Sequence, residues 1–318
     1  MYMNERNEMF LNPLDRQFIR ILTDFGFKRM FGSKEHAGLL MRFLNALFEG
    51  KMVIESVEFR DKEVLPFHPN GKKILYDIYC TTDRGEHFIL EMQQVESDNF
   101  TTRILFYGAT AIIKQGVRGI EYDIAPVYCI VFTDFHLSGM SHTLLKDIVL
   151  TDRYTKEVYS ELLRLIFITL PEVPAEWDDC DTEILRILYL IKNMENMTRD
   201  SKPYKSGLYE EFFDAASTQM LSDEEAVAYS DSYYKELENQ SAVRLAERKA
   251  MERGMEKGLQ KGIEKGLKKG MKEGLEKGME KGWDNAMISI AQKMLMSGTP
   301  LDQISAMTGL SLERLREL

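Results

Sequence analysis

Ile74-Leu75-Tyr76-Asp77-Ile78-Tyr79-Cys80-Thr81-Thr82-Asp83-Arg84-Gly85-Glu86-His87-Phe88-Ile89-Leu90-Glu91-Met92-Gln93-Gln94 alternates as two short strands around a tight turn. In the second strand Phe88, Leu90 and Met92 share one face, and His87, Ile89, Glu91 and Gln93 share the other. In the first, Ile74, Tyr76, Ile78 and Cys80 lie opposite Leu75, Asp77 and Tyr79. Asp83-Arg84-Gly85 suits a three-residue hairpin loop with Gly85 in the left-handed conformation. Such a loop pairs Thr82 with Glu86 and sets Asp77 opposite Glu91 on one face. A two-residue loop would shift the register by one and part the two acids. Two carboxylates brought together in a partly buried site repel unless a cation sits between them. Oxygen donors of this kind suit Mg²⁺ or Mn²⁺, which polarises a phosphoryl oxygen and lowers the pKa of bound water. The same two acids also fit the solvated polar face of an ordinary hairpin.

Working outward, the 318 residues allow one large domain or two. Hydrophobic residues at 44% and charged residues at 29% are the balance of a soluble globular chain. The first eight residues lack the basic and apolar regions of a signal peptide. The most apolar segment, 124–132, is too short to span a bilayer and contains Pro126. The three cysteines, Cys80, Cys129 and Cys180, form no CxxC pair, which argues against a disulfide framework or a zinc site and for a reducing cytoplasm. The net charge of −10 opposes broad, unaided binding of nucleic acid. It is uneven: residues 244–282 carry 12 Lys and Arg against 7 Asp and Glu, which leaves 29 against 44 elsewhere. An anionic substrate then requires a local basic groove or metal ions.

Upstream of the hairpin, Asp24-Phe25-Gly26-Phe27-Lys28-Arg29-Met30-Phe31-Gly32 reads as a turn followed by one helical turn, with Phe27 and Phe31 on one face. Lys28 is placed to touch a phosphate or to sit on the surface. Ser33 is the expected N-cap and Gly50 the expected stop of a helix over 34–49. A strand is expected within 52–62, then an irregular loop through His68. Downstream, 99–116 has helical spacing, with Ile104, Leu105, Gly108, Ala111 and Ile112 on its packed stripe. Arg103 and Tyr107, at i and i+4, share a face where the arginine reaches either a phosphate or its tyrosine neighbour. Pro126–Phe132 reads as a buried central strand, so an α/β sheet core is expected within 15–135.

Beyond 135 the spacing predicts helices over 159–170 and 182–197, with the acidic run 176–183 between them as a solvated turn. From Gly254 to Gly282 a glycine recurs at every fourth residue, each followed by one large apolar residue from Met255 to Trp283. A helix of this composition costs about 1 kcal/mol per glycine relative to alanine. It therefore reads as a self-association stalk or as a charged linker. The last segment predicts three short helices, over 288–298, 300–309 and from Ser311 on, in a helix-turn-helix texture. Glu313, Arg314, Arg316 and Glu317 make the last of these a poor reading face for DNA.

Taken together, the Asp24–Gly32 block, Leu44-Asn45, Asp77, Glu91-Met92-Gln93, Arg103 with Tyr107, the 126–132 strand and the glycine tetrads resemble the bacterial recombination-promoting nuclease and transposase family, a branch of the PD-(D/E)XK nucleases. The resemblance implies a restriction-endonuclease-like mixed sheet core flanked by helices over 1–135. A helical extension over 136–243, a glycine-tetrad helix over 244–282 and a C-terminal helical cluster over 283–318 follow. It also implies a Mg²⁺- or Mn²⁺-dependent DNA endonuclease, linked to recombination or transposition. Asp77 and Glu91 would be the metal ligands, Gln93 the third catalytic residue, and Lys28, Arg103 and Tyr107 the phosphate contacts. DNA is the expected partner, with a homo-oligomer through the tetrad tail, no membrane and a cytoplasmic location. Gln93 stands where the superfamily has lysine, and Tyr76 precedes Asp77 where its name has proline. An amide neither takes a proton nor supplies positive charge. The alternative is therefore a nuclease fold that turns over weakly or not at all and serves as a DNA- or partner-binding scaffold.

Overall fold

A computed structural model describes residues 12–65, 73–97, 99–116 and 123–318; His68 lies outside them. The hairpin forms part of a six-stranded mixed sheet. Its strands are β1 (Val57–Phe59), β4 (Ile78–Thr82), β5 (His87–Gln93), β6 (Val127–Thr133), β7 (Leu145–Thr151) and β8 (Val158–Thr169), in the order β1-β4-β5-β6-β8-β7. β5, β6 and β8 run parallel, while β1, β4 and β7 are antiparallel to their neighbours. A separate two-stranded ribbon pairs β2 (Glu63–Val64) with β3 (Ile74–Leu75).

β6 is central and buried at every position, as its apolar run predicts. On one sheet face pack α1 (Asp24–Phe31) and α2 (Ala37–Leu47), with Phe27, Phe31 and Phe43 closing on Phe132 at centroid distances of 5.2–6.5 Å. On the other face, Ile104 and Ala111 of α3 (Phe100–Gln115) meet Ile89, Val127, Cys129 and Val131. Gly108 permits this approach: a Cβ there would stand 2.5 Å from Leu163 Cδ1 and 3.0 Å from Cys129 Sγ. Leu105, expected on that stripe, is exposed. The first face is completed by α4 (Glu183–Asn193), α5 (Lys202–Lys205) and α6 (Glu210–Ala216), whose Ile187, Leu188, Phe212 and Phe213 join the same core.

Several expectations are corrected. Where a helix is expected over 159–170, Val158–Thr169 forms a strand, and the sheet continues to Thr169, past the expected core limit at 135. An apolar run such as 162–168 fits either state by periodicity. What decides it is pairing with β6 on one side and β7 on the other, which the turn before it permits: there Asp152 Oδ1 accepts from the N–H groups of Tyr154 at 2.8 Å and Thr155 at 2.7 Å. Lys156 there takes φ 65, so the chain reverses and β7 has a partner. The strand expected within 52–62 shortens to Val57–Phe59. Asp24–Phe31 is a two-turn helix capped by Thr23, whose hydroxyl accepts from Gly26 N–H. Ser33 caps a turn, accepting from His36 N–H at 3.2 Å, and α2 starts only at Ala37.

The chain divides into compact units at 1–239 and 240–318. The second unit contains most of α7 (Asp223–Met296), together with α8 (Leu301–Thr308) and α9 (Leu312–Arg316). Residues 288–296, expected as a separate helix, continue α7 without a break until Gly298, at φ 77, ends it. Ala291, Ile304, Leu310 and Leu315 form a small core there, and Ser311 caps α9 as its sequence predicts. Along the tetrads the apolar residues from Met255 to Trp283 are 55–76% exposed, and apart from the neighbouring turns of the helix's own backbone no described residue lies within 4 Å of where the glycines would carry Cβ. Among the described residues, no helix is long and apolar enough to cross a membrane.

Candidate active site

The turn has the three-residue form. Thr82 N–H donates to Glu86 O at 3.0 Å, Gly85 N–H donates to Thr82 O at 3.1 Å, and Gly85 sits at φ 88. The ladder then runs Thr81↔His87, Cys80↔Phe88, Tyr79↔Ile89 and Ile78↔Leu90, so the next pair in register is Asp77 with Glu91. Where the sequence predicts one unbroken strand, the chain bends at Tyr76-Asp77 between β3 and β4. The bend also swaps faces: Ile74 and Tyr76 pack with Tyr79 and Ile89, while Ile78 and Cys80 pack on the opposite side. Tyr76 N–H donates to Lys62 O at 3.0 Å, and its hydroxyl donates to Tyr107 O at 3.1 Å. Two neighbouring segments thus hold the bend open.

At the bend the two acids satisfy backbone donors reciprocally. Asp77 N–H donates to Glu91 Oε1 at 3.2 Å, and Met92 N–H donates to Asp77 Oδ2 at 3.1 Å. Glu91 is 3% exposed and the Asp77 side chain 23% exposed. Burial raises the pKa of both. Glu91 goes well above the ordinary carboxylate range because Asp77's charge adds to its burial. Asp77 is raised mainly by burial, against the opposing pull of Met92 N–H and Lys28.

Cations gather around this pair. Lys28 Nζ lies 2.5 Å from Asp24 Oδ1 and 3.9 Å from Asp77 Oδ1. Lys62 is half-buried, its pKa lowered first by burial and then by Lys28, with Asp77 and Asp24 acting oppositely. Arg103 Nη2 donates to Gln93 Oε1 at 2.6 Å, and its charge favours the ionised form of Glu91. Arg103 Nε is buried without a hydrogen-bond partner among the described residues. Tyr107 is half-buried, its pKa raised by burial and by Glu91. Beside Lys28 opens a groove of about 340 Å³, lined also by Asp24, Arg29, His36 and Glu225.

Asp77, Glu91, Gln93, Lys28, Arg103 and Tyr107 therefore converge on one end of the sheet. Sequence reading missed Lys62 and Asp24 as members. Asp24 has a legible signal, its i,i+4 spacing from Lys28 on α1. Lys62 has none, because long-range pairing brings it there: Tyr76 N–H donates to its carbonyl and Glu63 beside it pairs with Leu75.

A family model described as PD-(D/E)XK nuclease family transposase matches residues 21–246. The chain belongs to this family. The matched span of this PD-(D/E)XK family member holds α1, the broken hairpin, α3 and the whole sheet, and ends before the first glycine tetrad. Comparison with curated proteins and with solved structures gave no match.

The donor set fits a hard divalent ion. Two carboxylates sit together with their proton affinities raised by burial and, at Glu91, by like charge, a state that a cation between them relieves.

Proposed function

We propose that the chain is a metal-dependent DNA endonuclease, with a role in recombination or transposition. The observation that carries this reading is the Asp77–Glu91 pair, set in register at a strand break and ringed by Lys28, Lys62 and Arg103. Asp77 and Glu91 would hold Mg²⁺ or Mn²⁺. When bound, the ion supplies Lewis-acid polarisation of the phosphate and a water of lowered pKa.

The chain's own residues bind and orient. Lys28 and Lys62 balance phosphate charge at the entrance, which the acidic chain otherwise repels. Arg103 fixes Gln93 by its Oε1, leaving the Nε2 hydrogens to orient a water or a phosphate oxygen. Since that amide accepts no proton, proton removal falls to solvent or substrate. The occupied Gln93 also favours the second reading, a slow nuclease retained for DNA or partner binding. Supercoiled plasmid incubated with Mg²⁺ or Mn²⁺ separates the two. Nicking is expected, abolished by EDTA and by Asp77→Ala; DNA that is bound yet intact with both ions refutes the nuclease reading.

The tetrad tail belongs to the proposal as a homo-oligomer contact. Its exposed apolar stripe from Met255 to Trp283 and its open glycines suit close packing of a second copy. The repeat is longer than 3.6 residues and favours a right-handed wrap. Mass measurement is expected to give an oligomer that truncation after residue 243 dissolves; an unchanged mass state overturns this part.

A further inference from the structure

We propose that His136, His142 and Glu172 form a second metal site, of the zinc class, distinct from the Asp77–Glu91 pair. The sheet itself assembles it. β6 and β8 are parallel and in register, with Thr133 beside Thr169, and His136 and Glu172 each lie three residues past those partners. β7 enters antiparallel against the end of β8. Thr169 N–H donates to Leu144 O at 2.8 Å, which sets His142 at the same corner. Three ligands therefore come from three strand ends tied by ladder hydrogen bonds.

Their geometry is already that of a cluster. His136 Nε2 lies 2.7 Å from Glu172 Oε1, and the rings of His136 and His142 stack at 4.1 Å between centroids with 20° between planes. One ligand atom from each residue lies within 4.8 Å of the others. Tetrahedral zinc with nitrogen and oxygen ligands asks for separations of roughly 3.4 Å. Modest side-chain rotation supplies that, since His142 and Glu172 are exposed and His136 is half-buried. Two imidazoles with one carboxylate suit Zn²⁺ over Mg²⁺, and solvent completes the coordination.

Occupancy would brace the segment behind the candidate active site. Asp134 N–H donates to Gln93 O at 3.0 Å, and Ser138 donates to the Glu96 carboxylate through N–H at 3.1 Å and Oγ at 2.6 Å. The loop between His136 and His142 is thus fastened at Ser138 to Glu96, three residues past the strand bearing Glu91 and Gln93, and Asp134, two residues before His136, to Gln93 itself. The cysteine pattern carries no signal for such a site, and the two histidines, six residues apart across a loop, match no common zinc motif.

The test uses tag-free full-length protein, stripped with a chelator and dialysed, and titrated with Zn²⁺ by calorimetry and metal analysis. Wild type is expected to bind one Zn²⁺ per chain. His136→Ala, His142→Gln and Glu172→Gln are each expected to weaken binding about tenfold or more. His142 is exposed, so its variant keeps the test valid if His136→Ala fails to fold. Co²⁺ bound in place of Zn²⁺ should give a visible d–d spectrum that His142→Gln abolishes. Asp77→Ala and Glu91→Gln are expected to keep the zinc. Absence of saturable binding in wild type overturns the site, as does equal affinity in the three variants. Loss of zinc in Asp77→Ala or Glu91→Gln overturns its separateness. None of these outcomes depends on nicking activity.

Discussion

Glu91→Gln is expected to stabilise the metal-free protein at neutral pH while abolishing nicking. In wild type the carboxylate is 3% exposed, faces Asp77, and among the described residues accepts one N–H, from Asp77 at 3.2 Å. Burying a charge so poorly compensated costs several kcal/mol after relaxation. Gln keeps an acceptor for Asp77 N–H, and exchanging an ionised for a neutral acceptor loses about 1 kcal/mol. The net gain is therefore about 2 kcal/mol, or about 4–8 °C in Tm for a unit of this size. The pH dependence fixes the cause. Glu91's folded pKa lies above its unfolded value, so the folded state holds its proton more tightly and wild-type stability from this group falls as pH rises through that interval. The Tm difference between Glu91→Gln and wild type should be small near pH 4 and widen toward pH 8, in EDTA. Mg²⁺ should raise the Tm of wild type and leave the variant unmoved. Scanning calorimetry of both proteins across that pH range decides it. A variant less stable than wild type at pH 8, or a difference flat with pH, refutes the buried-pair reasoning.

Three further outcomes follow from the same geometry. Gly85→Ala places a side chain at φ 88, costing about 1 kcal/mol in urea melts and weakening the register that pairs Asp77 with Glu91. Arg103→Lys loses the forked donor that fixes Gln93 at 2.6 Å and is expected to slow nicking about tenfold, with the melting temperature little changed. Gly108→Ala drives a methyl against Leu163 and Cys129 and should cost about 1–3 kcal/mol, and Gly108→Ala with Leu163→Ala should recover part of that loss. Additive effects in this last pair would contradict the packing of α3 on β8.

The hairpin register was legible because turn length and residue alternation are local properties, and Asp83-Arg84-Gly85 admits few alternatives. The break at Asp77 was not. Nothing in Tyr76-Asp77 differs from an ordinary strand pair; the bend exists because Lys62 and Tyr107 take the hydrogen bonds of Tyr76 from far along the chain. The same reason hid β8. Leu162 to Ile168 reads as helix or strand until β6 and β7 are seen to flank it. Residue types thus announced the chemistry, while long-range pairing decided which backbone held it.

The break also explains why acids are tolerated here. An unbroken strand would place Asp77 inside the ladder, with Glu91 beneath α3 and no backbone donors to spare. By bending, the chain frees Asp77 N–H for Glu91 and leaves Met92 N–H for Asp77, so each carboxylate gains one donor at the other's expense of none. One donor apiece is too few to hold two charges in a buried site, and both carboxylates respond with raised proton affinity. β5, β6 and β8 all finish at this end of the sheet, at Gln93, Thr133 and Thr169, and open sheets with parallel strands bind ligands beyond those carboxyl ends. Arg103, Lys28 and Lys62 arrive there from three separate stretches of the chain, each within electrostatic reach of the pair. On the proposed function, an under-satisfied acid pair with cations at its rim would take a divalent ion and a phosphate together. A bound ion adds positive charge that attracts a phosphate, and a phosphate in turn favours the ion, so metal and DNA should each tighten the binding of the other.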